Sequence, residues 1–146
     1  MNDRFLFRGK RIDTVGWEYG SLVRNTHSYS ICFPSSDIET VAGLGQAGAR
    51  RFYKVIPATI GQCTGLKDKN GKLLFEGDIA RTKDYGKGDD YDTFRVVYRN
   101  ASFCLENVND NRGKRFIFSR NSVKTYDNKL CEIIGNVYDN PELMEA

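Results

Sequence analysis

Asn70-Gly71 sits between two runs, Thr59–Leu66 and Lys72–Phe75, whose short length and β-branched, aromatic or alternating content suit strands. An Asn-Gly pair supplies the positive φ values of a type I′ turn, whose twist matches that of the flanking strands, so Asp68-Lys69-Asn70-Gly71 predicts a tight hairpin. Directly after it, Glu76-Gly77-Asp78 turns the chain again and Ile79–Thr82 leaves as a third strand. Asp78 has a ready duty there, accepting backbone N–H bonds within the corner. Residues 57–79 therefore commit this part of the chain to antiparallel β structure.

The same rhythm runs through the rest of the sequence. Short apolar or alternating runs end at Gly, Asn, Asp or Pro every ten residues or so, as in antiparallel β proteins. Phe5–Ile12 and Trp17–Val23 read as one strand pair around Asp13-Thr14-Val15-Gly16, and Tyr29–Phe33 as a short strand stopped by Pro34. Phe52–Ile56 is a strand closed by Pro57. Thr93–Arg99 and Ser102–Val108 form a second hairpin around Asn100-Ala101. Lys114–Ser119 and Ser122–Tyr126 form a third pair. Leu130–Tyr138 is apolar on both faces, which predicts a central, covered strand. Asn140-Pro141 suits the start of a short terminal helix over Glu142–Glu145.

One stretch breaks the rhythm. Ser36 and Glu39 have capping-box spacing, so Asp37–Ala42 predicts a helical turn, and Gly43, Gly45 and Gly48 after it predict a variable surface loop within an excursion over residues 25–50. The length of 146 residues fits one domain, 1–146. The expected fold is all-β: a small bent antiparallel sheet or partly open barrel, with an SH3-like element around residues 55–140.

Catalytic chemistry is scarce. His27 is the sole histidine and stands in a polar stretch. Cys32, Cys63, Cys104 and Cys131 are far apart and form no C-x-x-C pair, which reads as buried thiols in a reducing compartment. Asp84, Asp89, Asp90 and Asp92 lack the spacing of a calcium loop and read as solvated loop carboxylates. Glu76 and Asp78 could converge as an acid–base pair, but turn capping accounts for Asp78 better. No phosphate loop or nucleophile elbow occurs. The reading is a non-enzyme needing no cofactor or metal.

The strongest polar signal is basic. Residues 109–124 carry Arg112, Lys114, Arg115, Arg120 and Lys124 against Asp110, and Arg8, Lys10 and Arg11 form a second cluster in a chain of net charge +3. Phe5, Phe7, Phe116, Phe118 and Tyr126 interleave with them. Basic strands with aromatics can bind single-stranded nucleic acid, so these eight cations are candidate contacts. The competing reading is the wet face of ordinary strands. No run of about 18 apolar residues or signal-like N-terminus is present, so a cytoplasmic setting away from membranes is expected.

Three stretches carry a resemblance to a known family. They are Phe7-Arg8-Gly9-Lys10-Arg11-Ile12 with Trp17; Val55-Ile56-Pro57 through Thr59-Ile60-Gly61-Gln62, Thr64–Lys72 and Phe75-Glu76-Gly77-Asp78-Ile79; and Glu132–Leu143. In these the chain resembles the YopX family of bacteriophage and prophage proteins. At position 63, where that family commonly shows an aromatic residue, this chain has Cys63. The resemblance implies a mainly β fold and a phage or prophage origin in a bacterial cytoplasm, and supplies no catalytic residues. The functional expectation is an accessory protein acting through contacts with phage or host proteins and self-associating as a homo-oligomer. The alternative is a nucleic-acid-binding module using 8–11 and 112–124.

Overall fold

The short runs become eleven strands and a few 3-10 turns in the computed structural model, which describes residues 3–32, 52–83, 91–108, 115–117 and 128–145. Among the described residues there is no α-helix; the fold is all-β, in open antiparallel sheets. The helical turn expected at 37–42, the glycine loop after it, Asp84, Asp89 and Asp90, and the strand expected at Ser122–Tyr126 lie outside the described residues. The chain packs as two compact units, Met1–Cys63 and Thr64–Ala146.

In the first unit, β1 (Phe7–Lys10), β2 (Trp17–Arg24), β3 (Tyr29–Cys32), β4 (Phe52–Lys54) and the start of β5 (Gly61–Lys67) lie in the order β4-β3-β2-β1-β5. The β1–β2 turn is closed by Arg11 N–H donating to Gly16 O at 2.8 Å. The sheet is strongly bent: one bridge, Arg11 with Val55, brings the end of β4 back to the end of β1. Ile56 N–H donates to Lys10 O at 2.8 Å and Ile12 N–H to Lys54 O at 3.2 Å around that bridge. Such curvature needs small residues inside the bend. At Gly20 a side chain would run into the Cys32 carbonyl, so β2 can approach β3 here only with glycine. Ile31, Cys32, Val55 and Cys63 are buried.

In the second unit, β5 continues to Lys67 and pairs with β6 (Leu73–Phe75). A five-stranded sheet follows in the order β10-β9-β8-β7-β11, from β7 (Asp78–Lys83), β8 (Tyr91–Arg99), β9 (Ser102–Asn107), β10 (Arg115–Ile117) and β11 (Cys131–Asn136). Leu74, Ala80, Phe94, Val96, Leu105 and Cys131 form its core, with Ile133 packed against them.

Three local expectations are corrected. The Asp68–Gly71 turn is not type I′, because only Gly71 has positive φ, at 80°. Its Gly71 N–H donates to Asp68 O at 3.0 Å and its Asp68 N–H to Lys72 O at 2.8 Å, a type I turn followed by a glycine bulge. The Asp68 carboxylate imposes this by taking the N–H groups of Asn70 and Lys72 on one oxygen, each at 2.9 Å. The turn with two positive φ values is instead Asn100-Ala101, at 53° and 60°.

Second, β11 is at the edge of its sheet and not central. Its apolar character has another cause. The β5–β6 turn meets its outer edge: Lys69 N–H donates to Cys131 O at 2.8 Å and Ile133 N–H to Asp68 Oδ2 at 3.1 Å. Third, the short terminal helical turn is there, as a 3-10 turn over Pro141–Met144, but the Asn140 side chain does not cap it. The Asn140 carboxamide oxygen is spent on the preceding turn, where it accepts from Asn136 N–H at 3.3 Å.

Candidate functional site

The N-terminal basic cluster is dispersed by its own strand alternation. Arg8 is buried, with its guanidinium 4.8 Å over the Trp17 ring. Arg11 points the other way, 4.1 Å over the Tyr53 ring. It bonds Asp13 at 2.7 and 2.8 Å and Glu18 at 3.3 Å. Those bonds, that to Asp13 foremost, keep Arg11 protonated and hold Asp13 below the usual carboxylate range. Lys10 is half-buried on β1. Of the second cluster, Arg115 stands in β10; Arg112, Lys114, Arg120 and Lys124 lie outside the described residues.

The carboxylate pair does not converge. Asp78 is buried, and its Oδ2 accepts Phe75 N–H at 2.8 Å, the capping duty expected of it. Cys32, Cys63, Cys104 and Cys131 are all buried free thiols, as expected, and His27 is exposed at the β2–β3 turn. Among the described residues no three His, Cys, Asp or Glu side chains group to hold a metal ion, and no helix is long and apolar enough to cross a membrane.

The second unit carries an open groove of about 610 Å³. It is lined by the Glu76-Gly77 corner, β8 from Arg95 to Arg99, Val137-Tyr138 and Met144. Backbone bonds fix its floor: Gly77 N–H donates to Val96 O and Val137 N–H to Gly77 O, both at 2.9 Å. Its last wall depends on Asn136, whose Oδ1 accepts the N–H groups of Tyr138 and Asp139 at 3.0 and 2.9 Å. Asn140 N–H donates to Asn136 O at 2.9 Å, and the chain so folded brings Met144 to the groove.

Glu106 of β9 stands opposite Arg95 in the ladder. Its carboxylate accepts a hydrogen bond from Arg95 at 2.5 Å and is ion-paired with Arg99 at 3.2 Å. One carboxylate thus orders two guanidiniums. Tyr98 is half-exposed and edge-on to Phe103 at 5.0 Å, and Tyr138 is also exposed. Arginine, tyrosine, methionine and valine in one concavity give planar, amphipathic contact area and donors of fixed direction, with no positioned nucleophile. Sequence reasoning missed the groove, although Glu76, Val137 and Tyr138 fall in the very segments that carry the family resemblance.

These features define an all-β protein of two open-sheet units, the second of which carries an open groove. The family described as YopX protein matches residues 7–145, and the chain belongs to the YopX family. No curated protein matches it.

Proposed function

We propose that this is a non-enzymatic accessory protein of a bacteriophage or prophage, working in the bacterial cytoplasm through protein–protein contacts, self-association included. The observation that carries the reading is the groove of the second unit. Arg95, Tyr98, Arg99, Tyr138 and Met144 belong to the residue types that dominate protein-contact hot spots. Their charge is balanced by Glu106 and by Glu76 at the rim, which suits a protein partner better than a polyanion. Burial of Arg8 and the two carboxylates on Arg11 point the same way, since both reduce what the N-terminal cluster can offer to phosphates.

Val97→Asp tests the reading by placing a charge in the groove. Affinity capture from induced or infected cells, scored for protein and nucleic acid, should recover a protein with the parent chain and lose it with the variant. Equal recovery by both removes the groove from the mechanism. Recovery of nucleic acid in its place favours the binding-module alternative. Light scattering that gives a monomer at every concentration removes self-association.

A further inference from the structure

The β5–β6 turn carries the reactants for a covalent change of its own chain. Asn70-Gly71 is the one Asn-Gly pair in the sequence. An asparagine carboxamide carbon can close a five-membered ring on the backbone nitrogen of the next residue. The side chain of that next residue is the chief obstacle to closure, and glycine has none. Asn70, Gly71 and Lys72 are all exposed, and a Cβ at Gly71 would meet nothing within 4 Å, so the backbone has room to pivot. Among the described residues none engages the Asn70 carboxamide; its backbone N–H is held by Asp68 Oδ1 at 2.9 Å.

Two features oppose the reaction. Gly71 N–H donates to Asp68 O at 3.0 Å, and the nitrogen must give up that bond and its proton to attack. The Asp68 carboxylate also holds the turn closed, with Asn70 and Lys72 N–H on one oxygen. We infer that Asn70 is a site of self-modification, losing its carboxamide to attack by the Gly71 nitrogen when the turn held by Asp68 opens. The bond from Gly71 N to Asn70 Cγ forms, the Cγ–Nδ2 bond breaks, and the displaced proton leaves with the amide nitrogen as ammonia. Water then opens the cyclic imide. Cleavage at Cγ leaves an ordinary aspartate; cleavage at the α-carbonyl leaves an isoaspartate, with the main chain running through Cγ. The isoaspartate puts one extra backbone atom between the two N–H groups that share Asp68 Oδ1. It therefore loosens the same carboxylate's hold on Ile133 N–H, 3.1 Å from Oδ2 at the edge of β11.

The test incubates the full folded chain at mildly alkaline pH. Peptide mass spectrometry and methyl transfer by an L-isoaspartate methyltransferase read the product. Isoaspartate should accumulate at position 70 ahead of every other asparagine, and be absent there in Asn70→Gln, which would need a larger ring. Asp68→Ala, which releases the turn, should speed conversion about tenfold. Far-UV circular dichroism confirms that the variant is folded, and Asp68→Asn takes its place if it is not. No conversion at position 70 in the folded chain, while the urea-unfolded chain converts, overturns the inference. Conversion led by another asparagine also overturns it, as does an equal rate in the parent and in a folded Asp68 variant.

Discussion

Asp68 reaches Ile133 across 65 residues of sequence, its Oδ2 accepting the Ile133 N–H at 3.1 Å. The other oxygen holds the N–H groups of Asn70 and Lys72. One buried carboxylate thus shapes the β5–β6 turn and pins it to the edge of β11. Asp68→Ala leaves those three N–H groups without their acceptor and should cost about 2–4 kcal/mol in urea unfolding. An unchanged midpoint would show that the three groups find other acceptors.

The same residue gives stability a pH dependence. Burial by itself raises the Asp68 carboxyl, but the N–H groups of Ile133, Lys72 and Asn70 outweigh it and hold the group below the usual carboxylate range. A group depressed in the folded state stabilises above its unfolded value, about 3.9, and that contribution is lost as pH falls through the folded value. Asp68→Asn should therefore be less stable than the parent at neutral pH, with the gap narrowing as pH falls below about 4. Thermal melts across that window check it; a gap independent of pH would assign the loss to geometry and not to charge.

Much of the fold was legible in the sequence, because strand runs and their breakers are local. The errors came where a distant or side-chain partner decided. Asn70-Gly71 carries the letters of a type I′ turn, yet the Asp68 carboxylate selects another. Leu130–Tyr138 looks doubly covered, yet its partner on one edge is the backbone of a turn. The groove was illegible for a related reason. Glu76, Arg95, Tyr98, Tyr138 and Met144 obey no common spacing and meet only because Gly77 is hydrogen-bonded to both Val96 and Val137. The basic clusters, by contrast, were visible as letters, but alternation buries Arg8 and turns Arg11 toward Tyr53, which charge counting does not register.

Ala101 holds φ at 60°, a left-handed backbone that costs a residue with a Cβ about 1–2 kcal/mol. Part of that gain is offset by the extra freedom glycine gives the unfolded chain. Ala101→Gly should raise stability by about 0.5–1 kcal/mol, and Ala101→Val should lower it. Urea midpoints decide; a destabilised glycine variant would mean that the methyl group contributes packing.

Glu106 pairs with both guanidiniums of the groove from one position and offsets part of their charge. Glu106→Gln frees their charge while keeping nearly the same shape. The variant should elute from heparin at higher salt than the parent, and a labelled single strand should be retarded more at low salt than by the parent. Identical elution would indicate that Arg95 and Arg99 are not accessible to an anion.

All four cysteines are buried, Cys63 and Cys131 completely. A thiol must be exposed and ionised to attack a disulfide reagent, so none should react with Ellman's reagent in the native protein within the time of a routine assay. In denaturant all four should react at once. A single fast thiol in the native state would identify which unit opens, since Cys32 and Cys63 belong to one and Cys104 and Cys131 to the other. Pre-steady labelling followed by mass spectrometry makes that assignment.

Gly20 is the point where the bent sheet of the first unit leaves no room. A Cβ there would meet the Cys32 carbonyl carbon at 2.9 Å and the Ile31 side chain at 3.2 Å. Backbone cannot move aside as a side-chain tip can, so Gly20→Ala must push β2 off β3 near the Ser21–Cys32 pair. Overpacking of this kind costs about 1–3 kcal/mol and more where backbone is the obstacle. Hydrogen exchange should show lost protection at Ser21–Arg24 and Tyr29–Cys32, with β7, β8 and β9 of the second unit retaining theirs. Uniform loss of protection in both units would show that they unfold as one cooperative body, and full retention would show that β2 and β3 tolerate a wider spacing than the ladder indicates.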